Sequence, residues 1–171
     1  MKYLFGLLLA GGLFHGYPTL SQVVNKNTIP IIKICKQVDV DTSLRKVAAT
    51  GDLSHLPAYG KDKALTGYYK DSTLVKMILK GYDKDGKETF VYYYHRNALI
   101  FVYNEYFGPH YNDTGKRVPN AFESNFRGYY YFKNGKWLDE VSNGHNRFED
   151  DQLDSGKILP AEAKLCRRLL P

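Results

Sequence analysis

The side chains able to do chemistry are few and scattered. His55, His95, His110 and His145 stand far apart, with no H-E-x-x-H pair and no cysteine close by in sequence. A zinc site needs three or four convergent ligands, so no metal site is assigned. Asp83-Lys84-Asp85-Gly86 resembles a calcium loop in outline. It lacks the third acidic position before the glycine and the helical flanks, and a β-turn accounts for it. The later cluster of Glu149, Asp150, Asp151 and Asp154 reads as a solvated acidic segment. Glycoside hydrolysis needs a pair of carboxyl groups, and Glu105, Glu123, Asp139 and Glu140 are the candidates. Nothing in their spacing selects two of them. No G-x-S-x-G run is present, so no nucleophilic serine is assigned. The expectation is therefore no catalytic residue and no cofactor.

The two cysteines, Cys35 and Cys166, stand near opposite ends of the chain. Their meaning depends on where the protein resides. Lys2 followed by the apolar run Tyr3 to Leu13 has the form of a signal peptide, too short to span a bilayer. Thr19-Leu20-Ser21 puts small residues at the −3 and −1 positions, so cleavage before Gln22 is expected. No cysteine follows the run to accept a lipid. That predicts a leader over residues 1–21, one domain over residues 22–171, and a secreted or periplasmic location. In an oxidising compartment an even cysteine count predicts a disulfide between Cys35 and Cys166. Without the leader the chain carries 23 basic and 18 acidic residues, a net +5 with the signs interspersed. There is no basic stripe for nucleic acid and no second apolar run for stable membrane insertion.

These groups have to be positioned by strands. Fifteen tyrosines and nine phenylalanines in 171 residues favour half-buried pleated surfaces. Thr28 and Pro30 mark a helix start, and Ile31, Ile34, Cys35 and Val38 predict a helix from Ile29 to Val38. Leu44 and Val47 suggest a further helical turn. Strands are expected near residues 65–70, 73–82, 88–95, 98–107, 127–133 and 136–141. Ala98 to Tyr103 has no polar residue on either face and should be covered on both. Pro160 is read as opening a last helix with Ala161, Leu165 and Leu169 on one side. The fold class is α+β: an antiparallel meander of five to six strands with a helix at each end. A Cys35–Cys166 bridge would clamp one helix to the other.

An imperfect repeat underlies the meander. Tyr68-Tyr69 with Leu74, Tyr93-Tyr94 with Leu99, and Tyr131-Phe132 with Trp137 share one spacing: two aromatics, a short polar turn, then a new strand. Asn134-Gly135 is a strong hairpin turn, since both residues tolerate positive φ. These hairpins, after a leader and a short helix, resemble a group of uncharacterised secreted bacterial proteins and, more loosely, MORN-type repeats. The resemblance implies a hairpin-built fold and no activity.

Function is then expected to lie in a surface. The proteins that fit are a non-enzymatic binding protein for a protein or glycan partner or, as the alternative, a small secreted hydrolase of cell-wall or dietary glycan. An inhibitor of a periplasmic enzyme is a narrower third. Residues Gly108 to Arg127 interrupt the repeat and read as a long polar loop. Tyr111, Arg117, Phe122 and Phe126 in that stretch are the predicted ligand-binding residues, since aromatics and arginine among polar residues typify contact surfaces. The tyrosines of the neighbouring sheet face would continue the site.

Overall fold

Among the described residues of the computed structural model, 25–145, 147–149 and 153–171, seven strands form a single antiparallel sheet in chain order. They are β1 (Arg45–Ala48), β2 (Asp62–Lys70), β3 (Thr73–Asp83), β4 (Gly86–His95), β5 (Ala98–Tyr111), β6 (Arg117–Lys133) and β7 (Lys136–Gly144). Helix α1 (Ile29–Val40) precedes them and α2 (Ser155–Arg167) follows. The expected leader, residues 1–21, lies outside the described residues. The α+β meander is as the sequence predicts, with seven strands in place of five to six. The added strand is β1, where a helical turn was expected; pairing with β2 from Arg45↔Tyr69 to Ala48↔Thr66 outweighs local helical spacing.

The repeat has a structural meaning. Each copy closes with a two-residue loop: Asp71-Ser72, Arg96-Asn97 and Asn134-Gly135, flanked by Lys70↔Thr73, His95↔Ala98 and Lys133↔Lys136. Arg96 and Asn97 (φ 50° and 63°) and Asn134 and Gly135 (54° and 74°) adopt the left-handed backbone that matches strand twist. Beside each loop the strand after the turn carries one extra residue, a β-bulge at Val75, Ile100 and Leu138. Two of these extra residues, Ile100 and Leu138, point to the face that α1 covers. The bulges thus help to make the apolar seat of the helix.

Neighbouring residues on a strand face opposite ways, so the aromatic pairs serve two cores. Phe90, Tyr92, Tyr94, Tyr130 and Phe132 pack beneath α2 with Leu159, Ala163 and Cys166. Tyr93, Phe101, Tyr129 and Tyr131 pack beneath α1 with Ile31 and Cys35. Strand β5 is buried on both faces over its first residues, with Leu99 and Val102 in the α2-side core and Ile100 and Phe101 in the α1-side core. This arrangement overturns the predicted disulfide. Cys35 and Cys166 are both buried thiols, one on each face, with the sheet between them. A bridge needs Cα atoms within about 7 Å. Neither helix clamps the other; each is held by its own apolar stripe.

Further expectations are corrected. Residues 108–127 are mostly strand: β5 runs on to Tyr111 and β6 starts at Arg117, joined by a turn held by the Asn112 side chain. The stretch is a two-stranded arm, and its polar composition reflects exposure. Helix α2 begins at Ser155, so Pro160, expected to open the helix, lies inside it. Helix α1 ends at Val40, two residues later than expected. Thr28 is its N-cap residue, but the hydroxyl donates back to the Asn25 carbonyl and not forward into the helix.

Candidate binding face

Helix α1 lies across the strands at the hairpin-loop end of the sheet. Just before its start, Asn25 donates to Asp139 on β7. Near its end, Asp39 meets Lys76 of β3 at 2.6 Å and accepts from the Tyr93 hydroxyl at 2.8 Å. A single helix about 18 Å long cannot cover strands of nine or more residues from end to end. The register therefore sorts this side of the sheet into rows. The row Lys76–Tyr93–Phe101–Tyr131–Asp139 lies under the helix.

The next row is Thr66–Ile78–Val91–Tyr103–Tyr129–Val141. All of it except the buried Tyr129 is half-buried, and the Tyr103 and Tyr129 rings meet at 5.3 Å. About 7 Å further on comes a polar row: Lys80–Thr89–Glu105–Arg127–Asn143. Arg127 Nε donates to Glu105 at 2.7 Å, and that bond raises the guanidinium's already high pKa. The Tyr103 hydroxyl is pushed well up, by burial first and then by its bond to Glu105, so it stays protonated. Beyond lies Tyr82–Lys87–Phe107–Ser124, with the Lys87 ammonium 4.3 Å from the Phe107 ring centre. An apolar row and a polar row thus run side by side across five or six strands, roughly 24 Å at ordinary strand spacing.

The four predicted contact residues do not come together. Tyr111 and Arg117 pair at the tip of the arm. Tyr111 is 52% exposed, whereas Arg117 is engaged with the Asp85 carboxylate and the Lys84 carbonyl. Phe122 lies against Lys87, at the border of the rows. Phe126 is a correction: it is 3% exposed and sits in the α2-side core. In the sequence the rows show only as a two-residue alternation in β5 that continues past the apolar run ending at Tyr103. Carrying the two-residue alternation on through Tyr103, Glu105 and Phe107 places them on one face.

The candidate carboxylates are separately partnered. Glu105 is with Arg127, Glu123 with His110, Asp139 with Asn25 and Glu140 with the Ser155 hydroxyl. Among the described residues no three His, Cys, Asp or Glu side chains form a group able to hold a metal ion.

The opposite face is closed, by α2, by residues 49–61 and by Phe148. A polar network that sequence did not reveal pins these covers down. Arg147 makes a two-pronged contact with Glu162 of α2 and lies over the Phe90 and Phe148 rings. Glu88 accepts from Asn104 at 2.9 Å and from the Tyr59 amide at 2.8 Å. Burial raises the Glu88 carboxyl above its ordinary 4.5, against the pull of those two bonds. Between 4.5 and its folded value the native state holds more proton than the unfolded chain. Stability from this group is thus full below 4.5 and is lost as pH rises through the folded value. Urea midpoints of Glu88→Gln and the parent, measured from about pH 4 to 7, should show the parent losing ground to the variant as pH rises. A constant difference would remove Glu88 as a titrating site.

No family model, curated protein or solved structure matches this chain.

Proposed function

We propose that the protein is exported and acts as a non-enzymatic binding protein, holding a protein or glycan ligand on the open rows beside α1. One observation carries this reading: beside the α1-side core, a half-buried and largely apolar row with Tyr103 at its middle lies next to a partly exposed polar row. Tyrosine and arginine are the side chains most enriched where binding energy concentrates, and Tyr103 and Arg127 sit diagonally adjacent at the middle of the two rows. Thr89, Asn143 and Lys80 add donors and acceptors along the same line. Glycan hydrolysis has less support, because the carboxylates it would use are bonded to different partners on different parts of the sheet.

The test is capture from the native cell-envelope extract by the chain beginning at Gln22. Tyr103→Ala with Arg127→Ala should lower capture about tenfold or more, while Tyr111→Ala leaves it unchanged. Circular dichroism should show both variants folded at the temperature of the capture assay. Equal capture by the double variant would move the site elsewhere, and turnover of an oligosaccharide would replace the binding reading with the hydrolase. Recovery of exported protein still carrying Met1 would overturn leader cleavage.

A further inference from the structure

Helix α1 has a second face. Ile31 and Cys35 turn inward to the sheet, while Ile29, Lys33, Lys36, Gln37 and Val40 line a shallow groove along the outside, with Ile32 at its edge also touching the inner core. These six positions follow three- and four-residue spacing, so they form one stripe. Ile29 is 51% exposed and Val40 72%. Single exposed aliphatics are ordinary, but these share one stripe with lysines. Lys26, Lys33 and Lys36 are exposed, and none forms an ion pair among the described residues. No carboxylate stands between Asn25 and Val38; at the far end Asp39 is turned toward Lys76 and Tyr93, and Asp41, next to Val40, is engaged by Lys70 and Ser43.

We infer that this outer stripe of α1 docks on an anionic lipid surface. Exposed aliphatics flanked by lysines, on a helix lying in the plane of the interface, match the boundary between acyl chains and headgroups. The lysine stems follow the apolar surface while their ammonium groups reach the phosphates. The helix is already folded and seated by its inner stripe, so docking orders nothing new. A second copy of the chain fits the stripe poorly: it would set Lys33 and Lys36 against their own copies, with no carboxylate on the stripe to answer them. Docking differs from crossing, for which no described helix is long and apolar enough. It would also hold the open rows about one helix diameter, ~10 Å, from the headgroups, in reach of a membrane-anchored ligand.

The test uses the chain without its leader, so that the run from Tyr3 to Leu13 cannot itself insert. Co-sedimentation is measured with vesicles of phosphatidylcholine alone and with about one-third phosphatidylglycerol. Binding is expected to the second kind only and should fall steeply in about 0.5 M salt. Lys26→Gln/Lys33→Gln/Lys36→Gln should weaken it on the order of a hundredfold. Ile29→Ser/Val40→Ser should weaken it separately, and circular dichroism should show both variants folded. Absence of binding to the anionic vesicles, or equal binding by the lysine variant, overturns the inference. A dimer seen by sedimentation velocity and abolished by Ile29→Ser/Val40→Ser, without vesicle binding, would assign the stripe to self-association instead.

Discussion

Gly81→Ala should destabilise the protein by about 3 kcal/mol or more, enough to leave a large unfolded fraction in a domain of ordinary marginal stability. Gly81 lies in β3 on the α2-side face, where residues 58–60 cross over the sheet. A methyl group there would collide with the Tyr59 carbonyl oxygen and press on Ala58. The obstacle is backbone, so no rotamer change relieves it. Lifting the crossing segment would also separate the Tyr59 amide from Glu88, a bond of 2.8 Å. Gly115→Ala is the control. Its φ of 74° carries the strain of a left-handed alanine, about 1 kcal/mol, but nothing stands within reach of the added atom. Urea denaturation of the two variants separates the effects. A Gly81→Ala protein as stable as the Gly115→Ala protein would mean that residues 58–60 do not lie on the sheet as described.

Phe90→Ala should cost about 3–5 kcal/mol. Phe90 is fully buried at the centre of the α2-side core, stacked on Tyr92 at 6.0 Å between ring centres. The Arg147 guanidinium also lies over it, 5.5 Å from the ring centre. Truncation opens a ring-sized cavity and removes the aromatic surface on which that cation rests. The loss should therefore exceed that of a purely aliphatic truncation, and the segment around Arg147 should become more susceptible to protease. Tyr111→Ala, at the exposed tip of the arm, should change stability by no more than about 0.5 kcal/mol. Calorimetry of the two variants measures the contrast. Equal losses would show that the arm, and not the aromatic stack, anchors the fold.

Local chemistry made much of this fold legible in the sequence. The three hairpins announce themselves by spacing, because a two-residue turn between pleated strands allows few loop sequences and Asn-Gly is among the best. Helix α1 was readable from Thr28, Pro30 and the stripe Ile31–Cys35–Val38. The uninterrupted apolar run from Ala98 to Tyr103 marked a strand buried on both faces. Each of these depends on residues a few positions apart, where steric preference and periodicity decide the outcome.

What remained needed tertiary structure, because it depends on which face of the sheet each element joins. Sequence placed Cys35 and Cys166 on two amphipathic helices and could not say that the helices take opposite faces. Covering the apolar side chains on both faces of β5 requires one helix on each, and that separation is what prevents the bridge. Polarity suggested a loop between Gly108 and Arg127, since an exposed two-stranded arm and a loop carry the same residues. Phe126 looked like a contact residue in that stretch, and only pairing with Tyr106 turns it inward. The open rows beside α1 exist because one short helix crosses strands longer than it can cover. That is a matter of length and crossing direction, which the strands' own sequences do not contain.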